Sequence, residues 1–280
     1  MAYDKEFQGK AAIVTGAYRG IGYAAALQLA AQGADVLIND ILSDGLCGIA
    51  AQIEAEAKGG RVIALAGDIG DRQYVGQLVQ AAMDSFGHID ILVNNAGLSK
   101  KAPLLTGDDD WWDTSIRINL TSMFYTCQLV GREMVRRDRG GTIINVSSIG
   151  GSHSKRNSAA YDASKGGVEA LTRAVATELA PWAIRANSIA PAAILGNYVK
   201  PKPKEWSEQR LIEKFDAPLL RQGTPDDCAN LICFLAGERS SFITGQCIMI
   251  DGGLSIQARA AGARGLEITP HNIDQLGGWE

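Results

Sequence analysis

The 280-residue chain has only three histidines, His88, His153 and His271. They stand too far apart in sequence to read as a metal-ligand set, so no metal is expected. Its five cysteines, Cys47, Cys127, Cys228, Cys233 and Cys247, are odd in number and form no CxxC pair. Such scatter reads as incidental thiols of a reducing cytoplasm rather than a disulfide framework. No run of about 18 apolar residues occurs, which excludes a transmembrane helix as an expectation. A basic surplus is lacking too: 27 Lys and Arg against 31 Asp and Glu give a formal charge of −4. That leaves no global field to draw in nucleic acid or an anionic membrane. Met1 to Lys10 carries Asp4, Lys5 and Glu6 with no apolar stretch behind them, which argues against a secretory signal. Repeats and low-complexity segments are also missing.

What is present is 46% apolar residues arranged in a regular alternation. Compact apolar runs at Ala11–Thr15, Asp35–Asn39, Arg61–Ala66, Ile89–Asn94, Thr142–Ser147, Arg185–Ala190 and Gln246–Ile250 read as strands buried on both faces. Helical patterns lie between them: Ile21–Gln32, Ile49–Lys58, Arg72–Phe86, Trp111–Arg137, Ala160–Leu179 and Asp226–Leu235. Gly33, Gly59-Gly60 and Gly87 fall where helices should stop. The alternation predicts a doubly wound α/β fold, a Rossmann-like parallel sheet of about seven strands flanked by helices. One domain is expected over 1–255. Residues 192–222 are too long for an ordinary connection and read as a lid or a surface insertion. Residues 256–280 form a tail that is either a loose end or an arm reaching another subunit.

The first strand runs into Thr15-Gly-Ala-Tyr-Arg-Gly-Ile-Gly22 and then a helix. Glycines at 16, 20 and 22 let the backbone turn and approach a pyrophosphate, which the amides and positive end of the new helix would then face. Asp40 ends the second strand, where a carboxylate can accept hydrogen bonds from ribose hydroxyls; a helix cap or loop carboxylate is the plainer alternative. A carboxylate there also repels a 2′-phosphate, whereas the Arg19 guanidinium would attract one. Desolvating a carboxylate against a phosphate is the harder obstacle, so NAD is expected over NADP. Asp68 suits an adenine contact or a cap for the helix beginning near Asp71. The small residues of Asn94-Asn-Ala-Gly97 would let the chain pass close to a cofactor, and their amides can tie neighbouring strand ends together.

Tyr161-Asp-Ala-Ser-Lys165 opens a helix with the phenol and the ammonium four positions apart, hence on one face. A nearby cation favours the phenolate, which would lower the phenol from its ordinary pKa of about 10 and make it a base near neutrality. Ser147-Ser148 ends the fifth strand, so that a hydroxyl could stand opposite the phenol across a substrate oxygen.

Taken together, these elements resemble the short-chain dehydrogenase/reductase family over roughly residues 7–255. The matching positions are Thr15–Gly22, Asp40, Asp68, Asn94–Gly97, Asn119, Ser148, Tyr161–Lys165 and Asp251-Gly-Gly253. The resemblance implies a catalytic tetrad of Asn119, Ser148, Tyr161 and Lys165. Tyr161 would be the acid/base and Ser148 the donor to the substrate oxygen. Lys165 would bind the nicotinamide ribose, and Asn119 would position a relay water. It further implies cofactor contacts from Gly16, Arg19, Gly20, Ile21, Gly22, Asp40, Asp68, Ile69, Asn95, Ala96 and Gly97, with Pro191 and Ile194 flanking the nicotinamide. Where family members often have Pro-Gly and then a threonine, this chain has Pro191-Ala192 and Gly196. The carboxamide is therefore expected to be held by backbone or by a lid residue.

The expected activity is hydride transfer between NAD(H) and a secondary alcohol or ketone. Pocket walls are expected from His153 to Asn157, Lys100 to Leu104 and the 192–220 stretch. The basic side chains there, with Lys200, Lys202 and Lys204, suit a small polar or anionic hydroxy compound such as a sugar, sugar acid or polyol, unless they are simply a solvated face. Trp206 and Trp111-Trp112 line a ring pocket or cover a helix interface. The alternatives are an NADPH-dependent ketone or 3-oxoacyl reductase, a non-catalytic dinucleotide sensor, and an epimerase or dehydratase. The resemblance also implies a homotetramer or homodimer through the Trp111–Arg137 and Ala160–Leu179 helices.

Overall fold

The apolar runs become seven strands: β1 (Ala11–Thr15), β2 (Asp35–Asp40), β3 (Val62–Ala66), β4 (Ile91–Asn94), β5 (Gly141–Val146), β6 (Ile184–Pro191) and β7 (Cys247–Ile250). The structure is a computed structural model that describes residues 5–195, 217–219 and 221–257. Every strand pair is parallel, and the order across the sheet is β3-β2-β1-β4-β5-β6-β7. The chain therefore winds outward from β1 in one direction, then returns and winds outward from β4 in the other. That reversal opens a crevice between the carboxyl ends of β1 and β4, the place where ligands enter open sheets of this kind.

Alternation along each strand feeds two cores. Ala12 and Val14 face one layer with Leu29, Ile53 and Ile232, whereas Ile13 faces the other with Leu78, Val130 and Met134. The first layer is α1 (Gly20–Ala31), α2 (Leu46–Ala57) and α7 (Pro225–Ala236). The second is α3 (Arg72–Phe86), α5 (Ser122–Arg137) and α6 (Ala159–Leu179). Each fully buried Ile or Leu contributes about 1.5–3 kcal/mol, so these two layers fix the sheet rigidly beneath the crevice.

Strand ends differ from the expected ones by one or two residues, as ladder ends commonly do. The larger difference is the expected single helix over 111–137. It is α4 (Asp109–Ile116), a π-helical turn over Arg117–Thr121, and then α5. Asp108 caps α4, accepting from the Trp111 amide, which starts the element earlier than the apolar pattern alone suggests. Likewise α2 begins at Leu46 behind a left-handed Gly45 rather than at Ile49.

Among the described residues no helix is long and apolar enough to cross a membrane, and no cluster of three metal-ligating side chains occurs. Gly196, Lys200, Lys202, Lys204 and Trp206 of the expected lid lie outside the described residues, as do His271 and the expected tail from residue 258 onward.

Candidate active site

The glycine turn sits at the end of β1 and is closed by Asn95 from the end of β4. Asn95 Nδ2 donates to Thr15 O (3.0 Å) and Gly16 O (2.8 Å). The Thr15 hydroxyl accepts from the amides of Asn95 (3.0 Å) and Ala96 (3.1 Å). The two strand ends flanking the crevice are thus laced together, as the amide residues suggested. A Cβ on Gly22 would lie 2.4 Å from Gly16 O and 2.6 Å from Asn95 Nδ2. Gly22→Ala is therefore expected to force this lacing apart, costing about 1–3 kcal/mol of stability and most of the dinucleotide affinity. Melting temperature and an NADH titration measure the two losses; a variant as stable and as tight as the parent would contradict this account of the turn.

Asp40, at the end of β2, accepts the Tyr18 amide at Oδ2 (3.1 Å) and the Leu42 amide at Oδ1 (3.1 Å). Arg19, the N-cap residue of α1, is exposed and makes no side-chain cap. The opening of α1 is left without a capping side chain, so its first amides have capacity for an anion. Asp68 does not cap α3; Asp71 does, accepting from the Gln73 amide at 2.8 Å. The Asp68 carboxylate instead accepts the Gly70 amide and Arg117 Nη1, each at 2.8 Å. Ile69 beside it is buried.

Across the crevice, Lys165 of α6 is fully buried and donates to Val146 O at 2.8 Å. Burial pulls its ammonium down to about 8. An ammonium has three donors, and the carbonyl of Val146 takes one of them, so the group has capacity for further hydroxyl partners. It sits 5.8 Å from the centroid of the Tyr161 ring. A Cβ on Gly97 would be 3.5 Å from Lys165 Nζ and 3.2 Å from Asn119 Oδ1, so the β4 loop passes directly beside both. The free donors of Lys165, the uncapped α1 and the bare Gly97 edge fit a nicotinamide dinucleotide laid across the strand ends.

Ser148, after β5, accepts the Gly150 amide at 3.1 Å and lies 3.5 Å from Pro191 O at the end of β6. Its hydroxyl lies near enough to Tyr161 to favour the phenolate. The expectation of a lowered phenol is not met in the protein alone. Burial pushes Tyr161 above its ordinary value and the neighbouring Asp162 adds to the rise, while the Ser148 hydroxyl opposes them. The reason is desolvation of a phenol held under the 149–151 turn, where a Cβ on Gly150 would be 3.3 Å from Tyr161 Cε1.

Asn119 lies in the π-helical turn. Its Oδ1 accepts the Leu98 amide (2.8 Å), and Nδ2 donates to Leu98 O (3.0 Å) and Ser164 Oγ (3.1 Å). Both amide protons are thereby committed, so the side chain serves as a bracket between the β4 loop and α6. Any relay water would be met by its main chain or the spare lone pair of Oδ1. Ile194 is buried, and Pro191 closes β6 opposite Ile250. Ala192 donates to Ile250 O at 3.0 Å, so its own amide is already used.

Of the expected pocket walls, His153 to Asn157 are all exposed, and the Lys155 amide is tied to Asp162 Oδ2 at 3.0 Å. Lys100 is neutralised by Asp110 at 3.1 Å. Trp111 is buried and donates to Lys100 O, so it anchors the loop, whereas Trp112 is exposed.

Thr15, Asp162 and Ser164 lie inside the matched motifs, but the contacts they make are created only by the fold. A buried chain from Thr126 to Asn94 (2.7 Å), Asn145 (2.9 Å) and Thr172 (2.9 Å) links α5, β4, β5 and α6 beneath the site.

A doubly wound sheet with this crevice, a glycine turn on one side and a Tyr–Lys pair on the other, defines an oxidoreductase scaffold of the nicotinamide-dependent class. Residues 16–255 match a family model described as enoyl-(acyl carrier protein) reductase. The chain is 38% identical to a 3-oxoacyl-[acyl-carrier-protein] reductase of Thermotoga maritima, covering 89% of this chain and 99% of the relative. It is 36% identical to an L-rhamnose 1-dehydrogenase (NAD(P)(+)) of a Sphingomonas species, covering 90% and 98%. A solved short-chain type dehydrogenase/reductase from Mycobacterium ulcerans superposes with a TM-score of 0.83 at 34% identity, covering 90% and 91%. The chain belongs to the short-chain dehydrogenase/reductase family.

Proposed function

We propose that the chain is an NAD(H)-dependent dehydrogenase that interconverts a secondary alcohol and a ketone on a small polar or anionic hydroxy compound, such as a sugar, sugar acid or polyol. The observation that carries the coenzyme choice is Asp40. Two backbone amides fix its carboxylate at the rim of the glycine turn, where it would accept from ribose hydroxyls and oppose a 2′-phosphate. The exposed basic run from His153 to Arg156 and the likeness to an L-rhamnose dehydrogenase support the substrate class.

A bound nicotinamide supplies the acceptance and donation of hydride. Lys165 and Asn95 would hold and seat it, with Lys165 donating to ribose hydroxyls. Ser148 would donate to the substrate oxygen. The Tyr161 oxygen would take the hydroxyl proton during oxidation and return one during reduction, and Lys165 would stabilise its anion.

The test is a panel of sugars, sugar acids, polyols, hydroxy acids and hydroxysteroids offered with NAD+ or NADP+ while absorbance of the reduced coenzyme is followed. Asp40→Ser is expected to raise the NADP+ to NAD+ ratio of kcat/KM at least about tenfold, because one charge repulsion against the phosphate is gone. Parent turnover with NADP+ alone would overturn the Asp40 argument.

The second reading, an NADPH-dependent 3-oxoacyl reductase, is favoured by the 38% identity to the Thermotoga maritima relative and by the exposed Arg19. The same panel with an acetoacetyl thioester and NADPH decides between them.

A further inference from the structure

Arg117 opens the π-helical turn two residues before Asn119, and its guanidinium crosses to the far side of the crevice. Residues two apart on a helix do not share a face, so one short turn reaches both halves of the site. Arg117 Nη1 is 2.8 Å from Asp68 Oδ2. A Cβ on Gly70 would lie 2.1 Å from the same Nη1, so the guanidinium rests on the bare backbone of the Asp68–Gly70 turn. The Gly70 amide holds Oδ1, so both carboxylate oxygens are pinned. Gly67 donates to Asp40 O at 2.9 Å, and Asp40 pairs with Ala66 in the ladder. Asp68 therefore stands on the neighbouring chain segment, two residues beyond the ladder partner of Asp40.

We infer that Arg117 is a positioning residue for the adenine end of the dinucleotide, holding Asp68 so that its open lone pairs accept the exocyclic amine of the base. The inference rests on the proposed function, and specifically on Asp68 meeting the adenine. A carboxylate has about four acceptor sites, and the two bonds seen here leave room for such a donor. Burial works to raise the Asp68 carboxyl, but the bonds from Arg117 and the Gly70 amide outweigh it and hold it below the usual carboxylate range. The anion thus remains an acceptor throughout the neutral range. Both partners are more than a third exposed, with side-chain exposures of 45% and 37%, so the pair itself adds little to folding. Its consequence is geometric: together with the Gly70 amide it fixes both oxygens of the carboxylate at the base-binding rim.

The experiment compares binding of NADH with reduced nicotinamide hypoxanthine dinucleotide, in which the amine is replaced by a carbonyl oxygen. Fluorescence titrations are run on the parent, Asp68→Asn, Arg117→Gln and Arg117→Lys, with melting temperatures alongside. The parent is expected to prefer NADH by about tenfold or more, since a charge-assisted hydrogen bond is replaced by two opposed acceptors. Arg117→Gln should cut that preference to about two- to threefold while the melting temperature barely moves, and Arg117→Lys should restore part of it. Undiminished preference in Arg117→Gln would overturn the role of Arg117. A parent with no preference would overturn it by removing the Asp68 contact. Failure to bind either dinucleotide would instead remove the proposed function beneath it.

Discussion

Replacing Tyr161 with phenylalanine is expected to lower kcat by about 10³-fold while leaving NADH affinity within a factor of about three. The change removes one oxygen and keeps the ring, which fills the space against Gly150 and beside Lys165. The phenol is desolvated, and its pKa is raised by burial, so deleting the hydroxyl also removes a buried polar group. Stability should be unchanged or slightly higher. A loss of activity accompanied by unfolding would point to a structural role, and residual turnover within tenfold of the parent would remove Tyr161 from the chemistry. The same upward push sets the pH profile. The base form grows above the phenol pKa, so alcohol oxidation should climb into the alkaline range, and ketone reduction should fall there.

The second large effect concerns Lys165. Its pKa falls from 10.5 to about 8 because burial penalises the charged form. Each pKa unit corresponds to about 1.4 kcal/mol, so at neutral pH the buried ammonium costs the fold ~3 kcal/mol. The carbonyl of Val146 satisfies one of its three donors and leaves the net penalty in place. Lys165→Met is therefore expected to fold at least as stably as the parent at pH 7 while losing 10²-fold or more in kcat/KM, with KM for NAD+ rising as well. The pH dependence distinguishes this from ordinary tolerance. Below about pH 8 both folded and unfolded chains carry the proton and the full penalty is present. Between about 8 and 10.5 the unfolded chain holds more protons, so parent stability rises relative to the variant as pH increases. Denaturant melts at pH 7 and pH 9.5 measure it; a variant less stable than the parent by several kcal/mol at pH 7 would show that the ammonium holds the fold together rather than straining it.

The sheet was legible because strands buried on both faces must be short apolar runs, as at Ala11–Thr15 and Ile91–Asn94, and nothing else in the chain looks like them. The places in the fold of the glycine turn, Asp40, Ser148 and the Tyr161–Lys165 pair are readable in the sequence because they lie at or just after a strand end or in the first turns of a helix. The stretch over 111–137 reads as one helix in sequence because apolar periodicity does not register a single widened turn over Arg117–Thr121. The role of Arg117 was invisible for the same reason that the Thr126–Asn94–Asn145–Thr172 chain was: both join residues dozens of positions apart, and polar side chains give no sign in sequence of which partner they will find. The direction of the Tyr161 shift failed because a lysine four positions away is audible in sequence, whereas the desolvation that opposes it is a property of the folded pocket.

The π-helical turn also has a consequence for chain length. A turn closed from residue i to i+5 accommodates one residue more than an α-helical turn, so Arg117–Thr121 is equivalent to an insertion absorbed without a loop. The apolar stripe of α4 and that of α5 consequently follow two different helical wheels, offset by about one residue's rotation. A chain one residue shorter at this point would merge them into a straighter rod with regular hydrogen bonds, and would aim Asn119 and Arg117 away from Leu98 and Asp68. The count of residues between Trp111 and Met123, rather than their identity alone, is thus part of what the site requires.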